Sequence, residues 1–243
     1  MTGALGLVPY IPIVTTIIAA CFAAVIFRRY RERGGMHLLW WGIGMVTYGA
    51  GTVTESLTSL LGWHEPVFRL WYVAGALLGG APLAQGTVYL MLGRRTANRL
   101  TALLLIAVAV ASVAVFASPL DYGLVEAYRL SGKVFEWQWV RLFSPFINLY
   151  AVTFLIGGAV VSALRYRRMS DGGRRAIGNA LIAVGAILPG IGGSFTRFGH
   201  TEVLYVTEFV GLLTIYAGYH LNTTAAAASI HLPSTVGVAK SVS

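Results

Sequence analysis

Seven stretches of this chain are apolar for close to the ~20 residues that a helix needs to cross a bilayer. They predict helices over residues 9–27, 36–61, 67–92, 100–117, 142–164, 176–195 and 203–220. The runs do not alternate in polarity as strands do, and they are rich in Ala and Leu, which favours helices. Composition agrees. Hydrophobic residues make up 56% of the 243 residues and charged residues 11%, against roughly a quarter charged in a soluble domain. The mean hydropathy is +0.71. The expected fold class is therefore an all-α integral membrane protein, a seven-transmembrane-helix bundle spanning residues 1–222. Residues 223–243 hold too little apolar mass for a domain and are expected to form a disordered tail.

Charge placement predicts the topology. The loops after the first, third and fifth runs and the C-terminal tail carry 13 of the 18 Lys and Arg residues, but only Glu32 and Asp171 of the acids. The positive-inside rule then places the N-terminus outside and the C-terminus in the cytoplasm. The net charge of +9 is thus a topology signal. It lies in short clusters between apolar runs, not in the continuous groove that phosphates require, so nucleic acid is not expected as a partner. The first run has no positive charge before it and Arg28, Arg29 and Arg31 after it, the opposite of a cleavable signal. Cys21 is the single cysteine, and a packing role accounts for it. The loop from Ser118 to Arg141 falls outside. Its Trp137 and Trp139 suit an interfacial belt, a short amphipathic surface helix or a lid over a ligand.

Two parts of the chain read alike. Phe27 to Met36 is a basic, glycine-ended turn followed by a glycine-rich helix ending Gly51 to Glu55. Leu164 to Arg174 is a similar turn followed by a helix ending Gly192 to Arg197. Glu65 to Gly75 then lies against Val203 to Gly211. This predicts a parallel 3+1+3 repeat with the fourth helix as linker, an arrangement that places a site near the repeat interface.

Ionisable groups inside a span are costly and point to function by default. Glu55 in the second run and Glu208 in the seventh both lie in the outer half. Arg69 and Arg197 lie near the outer ends of the third and sixth. The four are expected to line one outward-facing cavity, either as charge pairs or as a ligand site. Tyr48, Thr52, Glu55 and Ser59 share one helical face. Tyr205 and Glu208 share a face of the seventh run, while Tyr72, Gln85 and Asn148 add polar groups from the third and fifth. Tyrosines beside carboxylates suit a polar or cationic ligand. Gly79 to Pro82 and Pro189 to Gly193 predict kinks or close helix contacts. His64 with Glu65 and His200 with Glu202 match no zinc spacing. No metal, cofactor or catalytic residue is expected, and an enzyme is the least favoured class.

The stretch from Arg28 to Arg95, with Tyr48, Glu55, Tyr72, Pro82, Tyr89 and Gly93-Arg94-Arg95, resembles the seven-helix membrane sensor region at the N-terminus of some bacterial histidine kinases. Gly173 to Ile177, with Pro189 and Gly193, resembles the start and course of the sixth helix in that region. The resemblance implies a signal-sensing bundle in a bacterial plasma (inner) membrane. Here it would be a stand-alone copy that works with a separate signalling or membrane-complex protein. The 3+1+3 arrangement is also similar to that of SWEET sugar transporters, though Pro82 and Gln85 do not reproduce their Pro-Gln motif. The expected function is a sensor-like or accessory protein that binds a small-molecule ligand or a partner through its outward cavity. A small-solute or proton-coupled transporter is the alternative, and a membrane enzyme with a loop metal site the third.

Overall fold

The structure, a computed structural model, describes residues 6–196 and 198–228. Among these residues the chain is all-α, with no β-strand beyond two isolated bridges in one loop. Seven long helical segments follow one another: α1 (Ile11–Arg33), α2 (Met36–Leu61), α3 (Glu65–Met91), α4 (Arg94–Ala117), α5 (Gln138–Arg167), α6 (Gly173–Thr196) and α7 (Thr201–Ala228). Of these, α1, α3, α4, α5 and α6 are long and apolar enough to cross a membrane, which places the chain among membrane proteins. The other two, α2 and α7, carry Glu55, Glu208 and most of the mid-helix tyrosines, and their polar residues lower their hydropathy.

The helices outrun the apolar segments at several ends, because an apolar window stops at the first arginines while the backbone does not. α1 runs on through Arg28, Arg29, Arg31 and Arg33, with Arg31 and Arg33 in its last turn, where positive charge opposes the negative end of the helix dipole. Gly34 and Gly35 then reverse the chain with φ of 65° and 102°, a region that glycine enters at no steric cost. Similarly, α4 begins at Arg94 and not near residue 100. α7 continues through Thr223 to Ala228, so helix occupies the first residues of the expected tail. The rest of that tail, residues 229–243, lies outside the described residues.

Short connections make neighbours antiparallel and sort the loops to two ends. One end carries the arginine-rich turns. The other carries the α2–α3 and α6–α7 turns and the long α4–α5 loop. Six helices pack as a ring in the order α1, α2, α3, α5, α6, α7 and back to α1, and α4 lies outside it against α3 and α5. α1 shows how a face is chosen. Thr15, Ala19, Phe22, Ala23 and Ile26 are buried, one stripe at helical spacing, while Val14, Ile17 and Val25 face outward. α2 packs between α1 and α3 and leaves one apolar stripe, Val46, Val53, Leu57 and Leu60, exposed.

α3 is not one continuous α-helix. A π turn covers Tyr72–Leu77, and the helix breaks at residues 78–80 before restarting at Ala81. Pro82 therefore sits in the first turn of the restarted helix, where its missing N–H costs nothing. It does not kink the middle of a span. Backbone carbonyls released by the break need other donors. The Ala76 carbonyl accepts from Ser144 Oγ at 2.9 Å and Asn148 Nδ2 at 3.2 Å, and the Leu78 carbonyl from Thr47 Oγ1 at 3.4 Å. α5 carries its own π turn at Val152–Ile156. α6 instead stays helical through Pro189.

The loop between α4 and α5 is neither an amphipathic helix nor an open strand pair. It folds into two short 3-10 turns, Tyr122–Leu124 and Gly132–Val134, and a third, Gln138–Leu142, opens α5. Leu120, Val134, Phe135 and Val140 are buried in it against Phe68 and Tyr72 of α3 and Val115 of α4. Trp137 and Trp139 stack with ring centres 5.8 Å apart and remain partly exposed, as an interfacial pair would. This ordered cap covers the arginine-poor end of α3 and α4.

Candidate functional site

Glu55 is 4% exposed, on the buried face of α2. Its Oε1 accepts from the Trp71 indole N–H at 3.1 Å. Its Oε2 has no partner. Glu208 projects from α7 within hydrogen-bonding reach of Glu55, and its Oε2 is likewise covered and unpartnered. Two carboxyl groups facing each other in a low-dielectric interior cannot both stay charged without a counter-charge, because like charges a few ångströms apart repel strongly there. A proton held between them, or a cation, resolves the conflict.

Both residues line a cavity of about 430 Å³, within the range of about 300–1,000 Å³ typical of small-molecule sites. Tyr48, Glu55, Trp71, Asn148 and Glu208 line it. Around them the wall is mostly small or apolar. α3 contributes Gly75, Ala76, Gly79 and Gly80 beside its π turn and break. α6 contributes Pro189, Gly190 and Gly193. The two π turns of the molecule thus border the same space, as such turns often do at functional sites. Among the described lining residues there is no basic side chain.

The remaining hydrogen bonds hold the frame. Tyr48 donates its hydroxyl hydrogen to the Glu208 carbonyl at 2.9 Å, tying α2 to α7. The Ser59 and Tyr205 hydroxyls meet at 2.9 Å nearer the cap. Thr16 and Thr52 meet at 2.8 Å and tie α1 to α2.

Of the residues singled out from the sequence, Tyr48, Glu55, Asn148 and Glu208 are brought together, with Tyr205 adjacent. Three lie elsewhere. The Arg69 guanidinium binds Glu65 at 2.8 Å, the Ser118 carbonyl at 3.0 Å and the Val115 carbonyl. It therefore caps the C-terminus of α4, where cations are favoured, and makes no pair with either buried glutamate. Tyr72 is buried against Phe135 in the cap, with ring centres 4.8 Å apart. Gln85 is fully buried, donating to Thr101 Oγ1 at 2.8 Å and to the Ala97 carbonyl, and accepting from the Tyr150 hydroxyl. It joins α3, α4 and α5. Arg197 lies outside the described residues.

Trp71 is the participant the sequence reading missed. Its position one turn beyond Phe68 on a capped face resembles a packing residue, and only the approach of α2 to α3 gives its N–H a carboxylate. That approach depends on Gly51 and Gly75, since a Cβ on Gly51 would lie 3.1 Å from the Gly75 Cα. The histidines form no joint site. His200 pairs with Glu202 at 3.0 Å and His64 contacts the Gly62 carbonyl at 3.1 Å. Among the described residues no group of three or more His, Cys, Asp or Glu is placed to hold a metal ion.

A second cavity, of about 300 Å³, lies toward the arginine-rich end. Arg29, His37, Tyr166, Arg175, Asn179 and Asn222 stand in a wall that is otherwise mostly apolar. Leu83, Leu155 and Ile215 border both cavities and form the apolar layer between them. The chain matches no protein-family model, no curated protein and no solved structure.

Proposed function

We propose that this chain is a seven-span plasma-membrane protein, N-terminus outside and C-terminus cytoplasmic, that acts as a sensor-like receptor for a small organic cation. The observation that carries this reading is the Glu55–Glu208 pair. It sets two facing carboxyl groups in the wall of a cavity of about 430 Å³ with no basic side chain among its described lining. An ammonium group placed there would neutralise both carboxyls, and the Trp71 and Tyr48 rings that line the cavity would add cation–π attraction. A proton would take the cation's place in the empty state. Burying α2 and α7 as spans is consistent with their inward-facing polar residues. The arginine-rich turns at the other end support the orientation.

Ligand binding would join α2 to α7 through the two carboxyls. Movement of α7 would reach the arginine-rich end, where a signalling partner or anionic lipid could read it. The histidine-kinase-like pattern of Tyr48, Glu55, Tyr72 and Pro82 supports the same role.

A carrier is the second reading, favoured by the two cavities lying back to back across Leu83, Leu155 and Ile215. The positive lining of the second cavity weighs against it, since Arg29 and Arg175 repel a departing cation.

Reconstituted vesicles separate the two. Tetramethylammonium and choline are suitable probes, because neither crosses a bilayer as a neutral base. Saturable binding that Glu55→Gln weakens at least about tenfold, a loss of about 1.4 kcal/mol, without protein-dependent flux is the expected result. Flux of the probe would establish the carrier. Binding that survives Glu55→Gln and Glu208→Gln together would overturn the cation site.

A further inference from the structure

The cavity that holds Glu55 and Glu208 is bounded on one side by the seam between α5 and α6, and that seam is closed over only part of its length. The α5 stretch Gly157–Arg167 packs along α6, and the π turn Val152–Ile156 touches it, but Phe143–Ala151 has no packed run against α6. At this level both helices line the cavity, α5 with Pro145, Asn148 and Val152 and α6 with Gly190, Gly193 and Ser194. Several of these also reach the outer surface, since Val152, Gly190 and Ser194 are exposed. A Cβ built on Gly190 or Gly193 would meet nothing within 4 Å, so nothing packs onto the α6 backbone there. The exposed side chains on these stretches are apolar: Phe146 is 72% exposed and Leu149 61% on α5, and Ile191 and Phe195 are also exposed on α6.

An apolar rim on a membrane-crossing helix faces hydrocarbon. An opening there connects a buried polar site with the bilayer and not with water. Glu55, itself only 4% exposed, lines the same cavity. We infer that the α5–α6 gap is a lateral portal through which an amphipathic ammonium reaches the site from the membrane, its head beside Glu55 and Glu208 and its alkyl tail lying in the gap between Val152 and Gly190. The identity of the head group rests on the cation reading above, whereas the portal does not. Glycine at 190 and 193 then has a defined use. These positions keep the gap wide where any larger side chain would stand in it. A site fed from the bilayer also explains how the ordered cap at the arginine-poor end can persist without barring the ligand.

Spin labels test the portal and the ligand separately. A nitroxide carried on Gly193→Cys, in a Cys21→Ala chain reconstituted into vesicles, reports which phase fills the gap. Collision with membrane-dissolved oxygen is expected to exceed collision with a water-soluble nickel chelate several-fold. The reverse order would show a water-filled mouth, and inaccessibility to both would show a closed seam; either overturns the portal. Dodecyltrimethylammonium should then immobilise the label and cut its oxygen collisions, while tetramethylammonium, which lacks a tail, should not. Adding Glu55→Gln and Glu208→Gln should abolish that response and leave the starting accessibilities unchanged. A lipid-exposed label that ignores the alkylammonium would overturn the amphipathic ligand and leave the portal standing.

Discussion

The two three-helix units of the ring, α1–α3 and α5–α7, are joined by the same sequence of neighbours but close their seams differently. In the first unit α1 and α2 pack along their length. A Cβ on Gly42 would come within 2.6 Å of the Phe27 ring, and one on Gly49 within 3.4 Å of the Ala19 Cβ. The matching seam of the second unit, α5 against α6, is packed toward the arginine-rich end and open toward the cap. Within that unit the tightest contact moves to α6 and α7. Gly178, Gly185 and Gly192 recur every seven residues, and a Cβ on Gly185 would lie 2.6 Å from the Gly211 carbonyl oxygen. The approach is reciprocal, since a Cβ on Gly211 would lie 2.7 Å from the Gly185 carbonyl oxygen, and it recurs seven residues earlier between Gly178 and Gly218. One helix therefore has a glycine face that zips and a glycine face that gapes, and glycine content alone does not distinguish them.

The sharpest way to break this comparison is a pair of substitutions on α6. Gly185→Leu drives a side chain into the α7 backbone and should cost about 3 kcal/mol or prevent folding, the upper range for overpacking. Gly190→Leu enters open space and should stay within about 0.5 kcal/mol of the parent. Thermal unfolding of detergent-solubilised protein measures both, and equal losses would mean that the two faces are equally packed. The next largest effect is at the α3–α5 seam. Gln85→Leu strands the Tyr150 hydroxyl in the interior and should cost about 1–3 kcal/mol, with cation binding at Glu55 unchanged. Loss of binding at retained stability would move Gln85 into the site.

The helix ends nearest the cap offer a finer contrast. Arg69 is 9% exposed and serves two α4 carbonyls as well as Glu65. Arg129 serves the Thr196 carbonyl at the end of α6 and pairs with Glu126, whose side chain is 55% exposed. Arg69→Met should therefore lower stability by about 2 kcal/mol and Arg129→Met by about 1, following the usual worth of charged hydrogen bonds and C-terminal cations. Equal losses would show that exposure does not set the difference. The smallest effect belongs to Tyr122, whose hydroxyl donates to Glu65 Oε2 at 2.5 Å. That hydrogen bond to the Glu65 carboxylate raises the phenol above its ordinary value. The bond's contribution is present below the ordinary phenol pKa of about 10 and is lost as pH climbs through the higher folded value. In absorbance titration, Glu65→Gln should return a single late-ionising tyrosine to the ordinary range.

Much of the bundle was legible in advance because bilayer thickness imposes a length and the arginines mark the turns. The same arithmetic misplaced helix ends, since an apolar window cannot see a helix continuing through Arg28 to Arg33 or starting at Arg94. Glu55 and Glu208 stood out because a charge inside a span has a cost that invites explanation. Their expected partner Arg69 did not, because a guanidinium near a helix end is as well served by carbonyls as by a carboxylate. Which it chooses depends on where α4 terminates, 46 to 49 residues away in the sequence.

By itself the sequence determined what single helices require: seven helical segments, their alternation, and two carboxylates on inward faces. These follow from hydropathy and 3.6-residue periodicity, both local properties. Only the tertiary structure decided that Glu55 meets Glu208 and Trp71 instead of an arginine, that α3 breaks just before Pro82, and that α5 and α6 part beside the cavity. Each depends on how close two backbones come. Among helices in lipid that distance is set by contacts between residues far apart in the chain, with no hydrophobic drive to close a seam that side chains leave open.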